Sequence, residues 1–170
     1  MRRARLLPTV LVVAAIAGCG PREATLRIGM RSAEDRDHLV RGWSGFERKE
    51  PPEPEDFCWV EGTNAKVAIG PVPRRGTARV RIVAWPFSHA GLPQQRMALW
   101  VNALLIDAEP MREGPGEYAW TFPARLFRPG ENFLYLAFDR ANRPKDLVPG
   151  SDDARELAAA VREIEVVVRR

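Results

Sequence analysis

From residue 24 onward, apolar side chains recur at every second position, and that period leaves few folds open. "TLRIGM" puts Leu26, Ile28 and Met30 on one face and Arg27 on the other. "AKVAI" alternates Ala65, Val67 and Ile69 against Lys66, and "ARVRIVAW" sets Val80 and Ile82 against Arg79 and Arg81. "MALWV" aligns Met97, Leu99 and Val101; "EYAWTF" aligns Tyr118, Trp120 and Phe122; "NFLYLAF" aligns Leu134, Leu136 and Phe138. "DFCWV" places Phe57 and Trp59 together, and "REIEVVV" aligns Ile164, Val166 and Val168. About eight strand candidates result, separated by turn signals such as "GPVPRRG", "REGPG" and "RPGEN". Frequent short strands with one polar face predict an all-β chain, an antiparallel β-sandwich rather than an α/β fold.

Two stretches offer helix. "DDARELAAAVREI" has Asp152 or Asp153 as an N-cap followed by good helix formers, but it runs directly into Ile164–Val168. A turn, or one helical turn entering a last strand, is the expectation there. "SAEDRDHLV" is a second candidate for a short helix. The charged, proline-rich "ERKEPPEPED", 47–56, is too short for a domain linker and reads as a surface connection inside the domain.

The beginning of the chain carries an address. Arg2, Arg3 and Arg5 precede an uncharged apolar run, "LLPTVLVVAAIAG", too short for a membrane span and interrupted by Pro8. That is the layout of a secretory signal peptide. Its end, "IAGC", resembles the bacterial lipobox, in which the cysteine is acylated and becomes the first mature residue. The resemblance implies a signal segment at 1–18, a lipidated tether at 19–24 anchored through Cys19 to membrane lipid, and one sandwich domain at 25–170. Gly20, rather than an aspartate, follows the cysteine; in the lipoproteins it resembles, this favours export to an outer membrane where one exists. Loss of 1–18 removes three of 26 basic residues and none of 22 acidic ones, so the formal charge falls from +4 to +1. With no basic run that could track phosphates, a nucleic-acid partner is not expected. Cys58 is then the single remaining cysteine, which excludes an intrachain disulfide and makes it a small buried hydrophobe between Phe57 and Trp59.

Catalysis finds little support. The two histidines, His38 and His89, belong to no HExxH motif, and neither a GxSxG motif nor a Gly-rich phosphate loop occurs. A tetrahedral zinc site is not expected from one cysteine and two histidines, and no cofactor or catalytic residue is expected. Paired carboxylates of a small glycan hydrolase stay as a lesser alternative, since acids are plentiful.

Aromatic residues lead further. Sugar rings stack C–H patches on aromatic faces, while amides, carboxylates and guanidinium groups take the hydroxyls. Among five tryptophans, Trp100 alternates away from Leu99 and Val101 beside Asn102, and Trp85 ends a strand near His89, Gln94 and Gln95. Trp85, Gln95, Trp100 and Asn102 are therefore the candidate ligand-binding residues. The competing reading is packing, the usual fate of tryptophan.

In chain order, "DHLVRGWSGFE", "FCWVEGTNAKVAI", "QQRMALWVNALLI", "PARLFRPGENFLYLAF" and "DDARELAAAVREIEV" resemble the galactose-binding-like jelly-roll modules attached to bacterial cell-envelope proteins, including some membrane glycosyltransferases. The resemblance covers about 36 to 168. The family's "VNG" turn is matched by Val101-Asn102-Ala103, where alanine replaces glycine and implies a different turn type. Its closing "DxRxL" is matched by Asp153, Arg155 and Leu157, and the two best-matching motifs suggest a bidentate ion pair between Arg155 and Glu47. In that arrangement Trp43 and Phe46 cover the sandwich edge. A calcium ion is common in related jelly rolls, though no ligand cluster here demands one. The resemblance implies a non-catalytic module binding glycan or an envelope partner. The alternative is a scaffold lipoprotein docking onto a membrane or envelope enzyme.

Overall fold

The computed structural model describes residues 23–49 and 55–170; the signal segment, the tether with Cys19, and the middle of the proline-rich connection lie outside them. Eleven strands are present among the described residues: β1 (Glu23–Ile28), β2 (Leu39–Arg41), β3 (Glu47–Lys49), β4 (Glu55–Glu61), β5 (Asn64–Ala68), β6 (Thr77–Pro86), β7 (Arg96–Val101), β8 (Leu104–Pro110), β9 (Gly116–Pro123), β10 (Phe133–Phe138) and β11 (Leu157–Arg169). All pairings are antiparallel. One sheet runs β3-β4-β11-β6-β9 with β1 also on β11; the other runs β2-β5-β10-β7-β8. β11 is long enough that β4 and β1 share one of its edges, β4 pairing with Leu157–Val161 and β1 with Ile164–Arg169.

The alternating positions read from the sequence form the core between the sheets. Ile28, Met30, Val80, Ile82, Met97, Leu99, Tyr118, Trp120, Leu134, Leu136, Ile164 and Val166 are all buried in one cluster. Burial of each such side chain stabilises the fold by about 1.5–3 kcal/mol. Cys58 joins the same cluster at 0 % exposure, and burial pushes its thiol up to about 12, so it is unreactive in the folded protein.

Three strands exceed the eight expected. β2 and β3 are three residues each, too short to show a period. β8 is an edge strand whose residues are exposed or half-buried throughout; Leu104, Ile106 and Ala108 alternate with Leu105, Asp107 and Glu109 and Ile106 packs on the core, but the two leucines at its start obscure the period. The second departure is at 157–164. No helical turn precedes β11 there; Leu157 to Ala160 are buried in extended chain, flanked by β4 and β6. Ladder bonds on both edges outweigh alanine's helix propensity.

Gly42 lets the chain cross from one sheet to the other. β2 pairs with β5, whereas Trp43 bridges Val60 of β4. Gly42 sits at φ +80, and a Cβ there would lie 2.1 Å from the Asn64 carbonyl oxygen, so only glycine fits. Trp43 then drops into the core at 7 % exposure with its indole N–H donating to the Lys66 carbonyl at 3.0 Å, while Phe46 stays 38 % exposed.

α1 (Ala33–His38) is the short helix expected in "SAEDRDHLV". Ser32 and Asp35 form its capping box. The Asp35 carboxylate also accepts from the Gly29 N–H at 2.8 Å and the Arg31 N–H at 3.1 Å, clamping both sides of Met30, a buried residue at φ 54. Burial alone would raise the Asp35 pKa; the bonds from Gly29, Ser32 and Arg31 outweigh it and hold the carboxyl below its usual range. A depressed native pKa contributes stability in full above the unfolded value of about 3.9 and loses it as pH falls through the lower native value. Asp35→Asn is therefore expected to cost about 1–2 kcal/mol at neutral pH, with the gap closing in acid. Urea unfolding at neutral and acid pH measures it, and a gap constant with pH contradicts the assignment.

α2 (Pro144–Leu147) is a single turn within the long β10–β11 connection. Among the described residues no helix is long and apolar enough to cross a membrane.

Candidate ligand-binding face

The sandwich has two ends and two outer faces. At the end where β1 begins, called proximal here, lie the connections 70–76, 102–103 and 124–132. The distal end carries 62–63, 87–95, 111–115 and 139–156.

The outer face of the β1-containing sheet is occupied by its own side chains. Toward the proximal half, Arg81 donates to Glu165 at 3.2 Å and to Glu117 at 3.2 Å and also pairs with Glu163, while Arg27 donates to Glu165 at 2.6 Å. These carboxylates hold Arg81 firmly charged against a burial that opposes it, and Arg27 and Arg81 hold the Glu165 carboxyl below its usual range. Toward the distal half, four rings meet edge to face: Phe57 lies 5.8 Å from Trp59 and 5.3 Å from Trp85, and Trp59 lies 6.2 Å from Phe87. Trp85 is thus on this face, with Ala160 of β11 between it and Trp59 in the register.

The outer face of the other sheet is different. Because Leu99 and Val101 point inward on β7 and Leu134 and Leu136 on β10, Trp100 and Tyr135 point outward. Register makes Trp100 and Tyr135 direct cross-strand partners, with Lys66 beyond Tyr135 on β5 and Leu105 beyond Trp100 on β8. Both rings are half-buried. Asn64, Trp100, Asn102, Tyr135 and Ala137 line a hollow of about 220 Å³. Lys66 Nζ sits 3.6 Å from the centre of the Phe133 ring and 5.6 Å from that of Tyr135, adding a cation to its rim. The face therefore offers ring surface bordered by amides and an ammonium.

The structure brings Trp100 and Asn102 together, places Trp85 on the opposite face, and puts Gln95 elsewhere again. Asn102 has a second duty. It opens the β7–β8 turn at φ 55, with no positive φ at Ala103, so the turn is not type I′. Its carboxamide accepts from the Phe133 N–H at 3.1 Å and donates to Asn132 Oδ1 at 3.1 Å. Gln95 is 3 % exposed at the distal end; its Nε2 donates to the Arg140 carbonyl at 2.7 Å, and its buried Oε1 has no partner among the described residues. It borders a cavity of about 250 Å³ shared with Phe87, His89, Gln94, Glu113 and Arg140.

Tyr135, Asn64 and Lys66 were not singled out by sequence reasoning. The signal for Tyr135 was present, since "NFLYLAF" with Leu134 and Leu136 inward forces Tyr135 outward. Its meeting with Trp100 depends on the pairing of β7 with β10, which alternation does not encode.

Arg155 Nη1 donates to Glu47 Oε1 at 2.5 Å. The two-pronged contact is made with Asp153 instead, Nε at 3.0 Å and Nη2 at 2.7 Å, which together with Glu47 raises the Arg155 pKa and, on the other partner, lowers that of Asp153. Arg155 is 40 % exposed and Glu47 31 %. Such a pair is expected to yield only about 0.5–1 kcal/mol, so Glu47→Gln should lower the melting temperature slightly. A loss of several kcal/mol would show that the contact closes the fold.

Among the described residues no group of three or more His, Cys, Asp or Glu is placed to hold a metal ion.

No protein-family model matches the sequence, and no curated protein does. Solved structures do match in fold. A family 35 carbohydrate binding module from an environmental isolate aligns over 85 % of this chain and 97 % of its own, at TM-score 0.52 and 10 % identity. Dimeric latent PorU from Porphyromonas gingivalis aligns over 88 % of this chain but only 13 % of its own, at TM-score 0.51 and 10 % identity. Another family 35 carbohydrate binding module, from Clostridium thermocellum, aligns over 84 % of this chain and 96 % of its own, at TM-score 0.48 and 8 % identity. The fold is thus an antiparallel β-sandwich, similar to that of the family 35 module from the environmental isolate.

Proposed function

We propose that this chain is a non-catalytic carbohydrate-binding sandwich, held outside a bacterial membrane by a lipid on Cys19, that takes an envelope glycan on the Trp100–Tyr135 face. The observation carrying this reading is the pair of half-buried rings side by side on β7 and β10, opening into a hollow bordered by Asn64 and Asn102. A sugar ring laid on Trp100 desolvates both surfaces, and the amides and Lys66 supply donors to its hydroxyls. The family 35 module named above is described as carbohydrate binding, and sharing its fold lends support by analogy.

Titration of the chain with solubilised envelope polysaccharide fragments tests the reading. Saturable binding that falls in Trp100→Ala supports it. Co-purification of a membrane enzyme without any sugar binding supports the scaffold instead. One observation favours a second ligand position: the unpartnered Gln95 Oε1 borders the distal cavity and would accept from a hydroxyl there. Binding lost in Gln95→Leu but kept in Trp100→Ala would move the site to that end.

A further inference from the structure

Charge is divided unequally between the two ends of the sandwich. The proximal connections and the close of β11 bring Arg74, Arg75, Arg125, Arg128, Arg169 and Arg170 to one end, all exposed, against Glu131 in the same segments and Glu23 at the start of β1; α1, whose His38 meets the Ala68 carbonyl at this end, adds Arg36 against Glu34, Asp35 and Asp37 and leaves the end net basic. The distal connections carry five basic and six acidic residues. The proximal loops are fixed to one another: Arg74 Nε donates to the Phe127 carbonyl at 2.9 Å, and Arg169 Nε to Glu23 at 2.8 Å. Beside them the β7–β8 turn exposes Leu104 at 49 % and Leu105 at 46 %. Glu23 begins β1 at this same end, four positions after Cys19. Four extended residues span at most about 14 Å.

We infer that the proximal end docks on an anionic phospholipid bilayer. Clustered arginines are drawn to anionic headgroups within a Debye length of the surface. Exposed leucines next to them enter the headgroup boundary, a combination that a soluble polyanion would not reward. The inference rests on the membrane-attachment part of the proposed function for its geometry, because a tether that short holds this end, and no other, at the bilayer. β6 spans about 30 Å at strand rise, so the distal cavity stands that far from the lipid, and the Trp100–Tyr135 face is presented sideways along the membrane.

The test uses the full chain reconstituted in vesicles of phosphatidylcholine alone or with a third phosphatidylglycerol. An environment-sensitive fluorophore is attached at Ala103→Cys or, separately, at Asp152→Cys, and quenched by a headgroup spin label. The expected result is quenching at 103 about threefold or more above that at 152 in anionic vesicles, lost in molar salt and in Arg74→Gln/Arg75→Gln/Arg125→Gln/Arg128→Gln. Circular dichroism verifies that the quadruple variant is folded, and the salt titration of the parent stands without it. Equal quenching at both positions, or quenching at 103 indifferent to lipid charge, overturns the docking. So does protection of 103 by dextran sulfate with no response to anionic vesicles. Intact mass of the mature chain separates the two readings. An acylated chain with 103 unquenched removes the docking alone, whereas an unacylated chain whose 103 is still quenched by anionic vesicles removes the anchor alone.

Discussion

Asn132→Ala is expected to lower the unfolding free energy by about 3–5 kcal/mol. Asn132 is fully buried, and its carboxamide joins three proximal connections. Nδ2 donates to the Arg128 and Gly130 carbonyls at 3.0 Å and the Gly70 carbonyl at 3.3 Å; Oδ1 accepts from the Arg128 N–H at 2.7 Å and Asn102 Nδ2 at 3.1 Å. Alanine removes every one of these and leaves part-buried backbone groups of Gly70, Arg128 and Gly130 without their partner, at about 1–3 kcal/mol each where water does not reach them. The loss also frees Asn102, which sets the turn beneath Trp100. Denaturant unfolding measures it, and a loss under about 1 kcal/mol, typical of a surface change, would mean that water replaces the network at no cost.

The second large effect is on binding. Trp100→Ala is expected to weaken glycan affinity about 10- to 100-fold, equivalent to about 1.4–2.8 kcal/mol, while leaving the fold intact because Trp100 contributes nothing to the buried core. Tyr135→Ala should act in the same direction. Trp85→Ala should leave affinity unchanged, since that ring packs against Phe57 on the far side of the sandwich. The contrast between the two tryptophans is the informative part. Loss in both would indicate a general destabilisation, and loss in Trp85→Ala alone would place the ligand on the aromatic cluster of the opposite sheet.

The same tryptophans show what alternation can and cannot carry. It assigns Leu99 inward and Trp100 outward, and Val80 and Ile82 inward, because period 2 is a local property of extended chain. It does not say which sheet a strand joins. Trp85 and Trp100 look alike in sequence, 15 positions apart, yet β6 and β7 lie in different sheets, and their outer faces point in opposite directions. Gln95 is a candidate ligand-binding residue in the sequence, near Trp85, but β7 begins against the long β10–β11 connection, and the Gln95 amide donates to the Arg140 carbonyl there. The alanine run before Ile164 carried helix propensity and no period; only its two neighbours in the sheet make it strand. Glu47 and Arg155 meet across 108 positions, and it was the likeness of two motifs, not spacing, that suggested they would.

The most direct measurement follows the indole N–H resonances of all five tryptophans while an envelope polysaccharide fragment is added. Binding on the β7–β10 face predicts a saturable shift at Trp100, with Trp43 and Trp120 in the core and Trp59 and Trp85 on the opposite sheet unmoved. Shifts confined to Trp59 and Trp85, or a spectrum unchanged at saturating glycan, would contradict it.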